Sequence, residues 1–470
     1  MKKRYKYLFK NIGLLTISRF GTSILTFFLV PLYTAKLSTE EYGAYELISA
    51  TVSLLIPILT LNIADSVFRF SIDNKKNWKD VYSTGIRYLF IGTCIVVGLL
   101  AFNWVFVLYQ PFKTYSHYIL LMFIGSTFTS IVEFFSRGQE KIKELSLSGI
   151  LRTVTMILFN VLFLVVLHLG IDGYFVAMIL SYFVPSIYLA VVCDTRSFFG
   201  FHPTHDIKQE MTSYSKPMIA NAIGWWVNNV SDRYIVTFLC GVASNGIYSV
   251  AYKIPSILNV FQNIFSQAWT LSAVKDFDEA DKSGFFCKIY NFYNLMNVLL
   301  CSVLILLSKI IASFFFQKDF YEAWHYVPFL LISVVFGSLS GYFGSIFSAV
   351  KASKLYARST IIGAVVNTVL NFILIYLMGP IGAAIATSIS YCIVYIIRLI
   401  NTRRFIDLDL NLKRDFLAYA VLVTQCIAIN VMENSIIIQI FAFATLVVLF
   451  IPEVKMLHNN GRRIFRMKFR

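Results

Sequence analysis

Eight side chains stand out because they are polar or charged inside long apolar stretches. Arg19, Asp65, Asp232, Arg233 and Lys253 carry charge, while Asn367, Asn371 and Thr387 carry only dipoles. A charge at the middle of a bilayer costs about 2.5–3.5 kcal/mol on insertion scales, and less near the interface, so such residues tend to hold a ligand or pair with one another. Arg19, Arg233 and Lys253 have the chemistry to contact an oxyanion. Arginine's fork donates two parallel hydrogen bonds, and lysine acts as a point charge. The structural alternative pairs Arg19 with Asp65 or Glu133 and lets Lys253 snorkel. Asp232 and Arg233 are neighbours, so on a helix they point about 100° apart and serve two faces rather than one salt bridge. Asn367 and Asn371 are four apart and share a helix face. Their oxygens, with Thr387 further on, suit a hard cation; hydrogen bonding between helices is the plainer use. Asp65, Arg69 and Asp73 form either a gate or a solvated helix end, and Glu46 is open to the same two readings.

Other constellations are weaker. Trp225-Trp226 and Tyr248-x-x-x-Tyr252 could stack sugars, but aromatic residues more often pack the core or sit in the interfacial belt. Gly337-x-x-x-Gly341 is a close-packing motif. His202-x-x-His205 lacks a third metal ligand. The seven cysteines are scattered and odd in number, which reads as neither a disulfide framework nor a metal cluster. No catalytic triad, paired carboxylates or phosphate-binding glycine loop is visible, so the chain reads as a non-enzyme without a cofactor.

The elements that must position these residues are helices. The chain has 470 residues, 57% of them hydrophobic and 14% charged. Apolar runs long enough to cross a ~30 Å hydrocarbon core recur from end to end, and in lipid such runs must satisfy their own backbone. Fourteen spans are expected, over about 11–34, 43–69, 84–109, 116–136, 147–168, 172–193, 212–239, 245–271, 287–315, 324–349, 356–378, 380–400, 415–432 and 435–452. The basic, then apolar N-terminus could pass for a signal peptide, but Arg19 interrupts it and no cleavage site follows, so it reads as a first span. Of 41 Lys and Arg, 34 fall in loops or at span ends on the side of the N-terminus, three on the other side, and four (Arg19, Arg233, Lys253 and Lys309) deeper within spans. That bias predicts both termini in the cytoplasm, with the net charge of +16 mostly facing the inner leaflet rather than nucleic acid.

The chain repeats itself. Residues 145–184 resemble 355–394, with Gly170 and Gly173 matching Gly379 and Gly382 at an offset of 209. Asn160 matches Asn371 only after a two-residue slip. Earlier in each half, Gly43-x-Tyr45 matches Gly246-x-Tyr248 at an offset of 203. The expected architecture is an all-α polytopic membrane protein. It has an N-lobe of helices 1–6 (1–210) and a C-lobe of helices 7–12 (211–405) around a central cavity, then two extra helices and a basic tail (406–470).

The segments L-S-T-E-E-Y-G-A-Y (37–45), N-N-V-S-D-R-Y-I-V (228–236), G-I-Y-S-V-A-Y-K (246–253) and M-G-P-I-G-A-A-I-A-T-S-I-S (378–390) together resemble bacterial polysaccharide-unit flippases. These are the O-antigen, capsule and teichoic-type exporters of the multidrug/oligosaccharidyl-lipid/polysaccharide superfamily. The resemblance implies a MATE-like fold in the bacterial plasma membrane. It implies alternating-access transfer of a polyprenyl-pyrophosphate-linked oligosaccharide from the inner to the outer leaflet, beside a glycan polymerase and chain-length proteins. It would make Arg19, Arg233, Lys253 and Asp65 contacts of the substrate. Lipid II flippases couple to sodium through an Asp in span seven, polar side chains four apart in span eleven and a Thr in span twelve, which here implies Asp232, Asn367, Asn371 and Thr387. Asn371 stands where those relatives have an acid, which lowers the charge of such a site. A drug/cation antiporter of the same superfamily is the rival; a membrane glycan polymerase or ligase would need a sizeable outer loop.

Overall fold

The computed structural model describes residues 25–73, 78–198, 203–275, 277–278, 280–281, 284–432 and 434–453. All regular structure among them is helical. Ten of the helices are long and apolar enough to cross a membrane. The chain is therefore a multi-pass membrane protein. The other four expected spans fall on a first helix described from Leu25, on two interrupted helices, and on a final helix of 14 residues. By packing, the chain divides into two compact units, Met1–Gly246 and Ile247–Arg470.

The first unit holds α1 (Val30–Lys36), α2 (Thr39–Leu59), α3 (Ile63–Asp73), α4 (Trp78–Phe106), α5 (Ser116–Gly138), α6 (Ile142–Asn160), α7 (Gly170–Val192), α8 (His205–Asn229) and α9 (Ser231–Cys240). The Ser38-x-x-Glu41 pattern starts α2. Ser38 Oγ accepts from the Glu41 amide at 3.1 Å, and the Glu41 carboxylate accepts from the Ser38 amide at 2.8 Å. The single span expected over 43–69 is two helices. Pro57 has no amide to donate, and Leu61 and Asn62 adopt left-handed backbone at φ 52° and 51°. The chain resumes as α3, whose Val67 packs with Val81, Tyr82, Ile131 and Phe135 in a buried core.

α10 (Val242–Ala251) begins in the first unit and runs into the second. Its start crosses α2 at backbone contact. A Cβ on Gly43 would lie 2.0 Å from the Val242 carbonyl oxygen, and one on Gly246 would lie 2.0 Å from that of Thr39. Both pairs obey the 203-residue offset of the repeat, so each copy makes the same contact on the other. Only a residue without a side chain fits on either side. The two-residue slip at Asn160 has a backbone cause as well. The first copy has two more residues between Asn160 and Gly170 than the second has between Asn371 and Gly379. There α6 runs into a π-helical stretch, Val161–Val166, whose wider turns absorb extra chain.

The second unit holds α11 (Lys253–Lys275), α12 (Phe285–Phe315), α13 (Val327–Ala349), α14 (Ser353–Met378), α15 (Ile381–Thr402), α16 (Leu412–Val431) and α17 (Ile436–Leu449). α13 is the central helix, with most of its residues buried. Trp269 donates to the Tyr342 carbonyl at 3.1 Å, and Tyr342 donates to that of Phe286 at 2.7 Å, tying α11, α13 and α12 together. The turn into α15 is tight because a Cβ on Gly382 would sit 2.1 Å from the Leu374 oxygen. The last helix pair is clamped by Arg414, which bonds Asp415, Glu453 and Asn291. Gln425 and Gln439 exchange amide-to-carbonyl hydrogen bonds between α16 and α17.

Candidate functional site

Asp65, Asp232, Arg233 and Lys253 lie at interruptions in the helices. Asp65 is the third residue of α3, just after the left-handed pair at 61–62. Asp232 and Arg233 are the second and third residues of α9, after a break at Val230. Lys253 opens α11 after a turn at Tyr252. Hydropathy alone shows spans 212–239 and 245–271 as continuous, yet each is two helices. Non-helical backbone at membrane depth is tolerated where it is buried in protein or lines a wet cavity. Helix starts also present unpaired N–H groups and a positive dipole end, which favours anions there.

Asp232 and Arg233 are two devices, as their adjacency predicts. The Arg233 guanidinium reaches Glu46 on α2, with Nη1 2.5 Å from Oε2. Tyr42 donates to the other carboxylate oxygen at 2.8 Å. The Glu46 side chain is 7% exposed and that of Arg233 20%, so the pair is largely shielded from water. Around the pair, Trp226 donates to the Ala50 carbonyl at 3.0 Å, and the Thr51 and Tyr234 hydroxyls lie 2.5 Å apart. The Asp232 carboxylate is buried and accepts from the Arg233 amide at 2.9 Å, an acid at a helix start where the dipole favours it.

Asp65 accepts from the Asn62 side chain at 2.5 Å, which helps hold the left-handed turn. Lys253 is half-buried. Tyr248 and Tyr252 bond each other through their hydroxyls at 3.1 Å, and Tyr248 packs against Tyr326. Trp225 is exposed. Arg19 and His202 lie outside the described residues, as does the Asp73 side chain. Among the described residues no cluster of three or more metal-ligating side chains occurs. All seven cysteines are free thiols.

In the second unit, Asn367, Asn371 and Thr387 meet. Asn371 Nδ2 donates to Asn367 Oδ1 at 3.0 Å, and Asn367 Nδ2 donates to Thr387 Oγ1 at 3.3 Å. Thr387 then donates to the Ala383 carbonyl at 2.9 Å. The ladder is neutral and buried, and Asn371 Oδ1 has no hydrogen-bond partner among the described residues. It can hold α14 and α15 together, and it leaves one buried oxygen facing no donor.

The sequence left Glu46 open, and the structure makes it the counter-charge of Arg233. The signal was there: an acid near one end of an apolar span and an arginine near the matching end of another. Tyr42 and Tyr234 gave no signal, because tyrosine in a membrane chain is ordinary belt composition.

Helical wherever its described residues form regular structure, and with charge at its helix breaks, the chain folds like solved membrane transporters. It is similar to a solved structure of the lipid II flippase MurJ in an inward closed conformation. The TM-score is 0.68 at 15% identity, covering 95% of this chain and 99% of that one. It is also similar to an inward-facing multidrug-resistance MATE transporter of the MOP superfamily, with TM-score 0.67, 14% identity, and coverage of 86% and 99%. A MOP-superfamily transporter from Pyrococcus furiosus, described as having a binding pocket of reversed polarity, gives 0.58 at 14% identity, covering 84% and 95%. No curated protein matches the sequence. The chain belongs to the polysaccharide biosynthesis protein family, whose model matches residues 8–270, more than half its length.

Proposed function

We propose that this protein is a flippase. It carries a polyprenyl-pyrophosphate-linked oligosaccharide unit from the inner to the outer leaflet of a bacterial plasma membrane by alternating access. The observation that carries the reading is the placing of cations at broken-helix starts. Arg233 and Lys253 stand in the first turns of α9 and α11, where dipole and side chain act together on an anion. Family membership supports the glycan, and the likeness to a lipid II flippase supports the lipid carrier. Arg19, Arg233 and Lys253 would contact the pyrophosphate, with Asp65 at the same pathway. A coupling cation, sodium or a proton, would use Asp232, Asn367, Asn371 and Thr387. Both termini would be cytoplasmic, and a glycan polymerase and chain-length proteins would act downstream.

The test is a deletion strain assayed for lipid-linked oligosaccharide by leaflet, and for surface glycan. Inner-leaflet build-up with loss of surface glycan, rescued by wild type and not by Arg233→Gln, supports the reading. The buried carboxylate of Asp232 and the MATE likeness favour one second reading, a cationic-drug antiporter. Normal surface glycan with new sensitivity to cationic dyes would replace the first reading with it.

A further inference from the structure

One buried cation belongs to none of the groups above. Arg398, near the end of α15, is 4% exposed. Its guanidinium lies 4.3 Å over the Tyr356 ring. Nε donates to Ser359 Oγ at 2.9 Å, Nη1 to the Ser340 carbonyl at 2.8 Å, and Nη2 to Thr360 Oγ1 at 3.0 Å. A Cβ on Gly344 would stand 2.9 Å from Nη1 and 2.6 Å from the Tyr356 ring, so α13 carries a glycine where the guanidinium enters. Every one of these partners is neutral. Hydrogen bonds are made, but the charge is not balanced, and a buried charge without a counter-charge is unfavourable.

More positive charge surrounds it at the same end of the unit. Lys351, Lys354 and Arg358 lie in the turn into α14 and on its first helical turns, and Arg403 and Arg404 directly follow α15; all five are exposed. Phe405, just beyond, packs on Phe347 at the end of α13, at 6.2 Å between ring centres, which brings these chain ends together. None of the five, nor Arg398, lies within ion-pair distance of a carboxylate among the described residues; Asp407 and Asp409 follow in the chain but pair with none of them. Along α14, Lys354, Arg358, Ile361 and Val365 recur every three or four residues and form one exposed stripe. It runs from basic to apolar. On α15, exposed Arg403 and Arg404 give way to exposed Ile400 in the same sense. Exposed Tyr356 stands at the change, as aromatic residues do at a membrane interface.

We infer that the α14–α15 end of the second unit binds one anionic phospholipid. Its phosphate sits among Lys354, Arg358, Arg403 and Arg404 above the Arg398 charge, and its acyl chains lie along Ile361 and Val365. Charge complementarity and the basic-to-apolar order select an anionic headgroup with a hydrocarbon tail over a free anion or a protein. Arg398 acts through Thr360 and its long-range field, so it is a positioning residue for this site. The inference does not rest on the flippase reading and survives that reading's failure.

The experiment uses the purified full-length protein, stripped of lipid in detergent. Phosphatidylglycerol or phosphatidylcholine of matched chains is added, and retained lipid is counted by native mass spectrometry beside the unfolding midpoint. Wild type should retain one phosphatidylglycerol with at least a tenfold preference over phosphatidylcholine, and its midpoint should rise. The variant with Lys354→Gln, Arg358→Gln, Arg403→Gln and Arg404→Gln leaves the buried guanidinium untouched and should lose most of that preference. Arg398→Gln should lose part of it; if that variant does not fold, the surface variant alone decides. Equal retention of the two lipids, or an unchanged preference in the surface variant, overturns the inference. Protection by polyprenyl pyrophosphate and not by phosphatidylglycerol overturns it as well, because the site would then belong to the carrier.

Discussion

Replacing Glu46 with Gln removes the negative charge bonded to the Arg233 guanidinium at 2.5 Å while keeping an oxygen for Tyr42. Breaking one side of a fully buried pair costs about 3–5 kcal/mol, because the remaining charge is left without its partner. Arg233 is 20% exposed, so water recovers part of that cost, and about 2–3 kcal/mol is expected here. Domains of 150–250 residues lose ~2–4 °C per kcal/mol; at 470 residues the slope is roughly half, so the midpoint should fall by roughly 2–6 °C. The informative variant is the double one, Glu46→Gln with Arg233→Met. With both charges gone, stability should return to within about 1 kcal/mol of wild type. Surface-glycan rescue should not return, because the anion contact is gone too. Thermal unfolding in detergent and complementation of a deletion strain read the two quantities apart. A double variant that is stable and rescues fully refutes a role for Arg233 in binding the substrate.

Three further outcomes follow from the geometry. Gly43→Ala and Gly246→Ala should each cut the yield of folded protein sharply, and by similar amounts, because each new Cβ meets a carbonyl oxygen at 2.0 Å; monodisperse yield on size-exclusion chromatography checks it. Asn371→Asp adds a carboxylate to the buried Asn367–Thr387 ladder, and should make the unfolding midpoint rise with sodium where wild type responds weakly; equal responses would argue against a cation there. Arg414→Ala strands Asp415 and Glu453 beside α12, and should cost about 3 kcal/mol or more, seen as early loss of the α16–α17 pair in hydrogen exchange.

The sequence was most legible where hydropathy decides. Helices over 116–138, 170–192, 285–315 and 353–378 fall within a few residues of the expected spans, because a span in lipid has no other way to satisfy its backbone. The interruptions were not legible. Thr60, Leu61, Asn62 and Val230 have no unusual hydropathy, and a left-handed Leu is set by its surroundings rather than its type. The depth of Arg398 was not legible: it lies two residues from the expected span end at 400, but α15 runs on to Thr402 and takes the arginine into the bundle. That Asn367 and Asn371 share a face was legible from their spacing of four, whereas Thr387, on the next helix, was joined to them only by the family resemblance. The Arg233–Glu46 pair was only half legible: the arginine announced a need for an anion, but 187 residues separate the partners.

The reciprocal crossing of Gly43 and Gly246 bears on how such a chain can diverge. A dimer of identical half-length chains would use one glycine for both sides, and every neighbour of that glycine would appear twice. Joined in one polypeptide, the flanking positions are free to differ. At the 203-residue offset Tyr42 corresponds to Asn245, and Glu46 to Ser249. Tyr42 serves the Glu46 carboxylate, while Asn245 donates to the Gly43 carbonyl at 3.0 Å and so braces the crossing itself. One copy has become the holder of charge and the other its mechanical support. Fusion thus lets a symmetric backbone joint carry an asymmetric electrostatic field, which two identical subunits cannot produce.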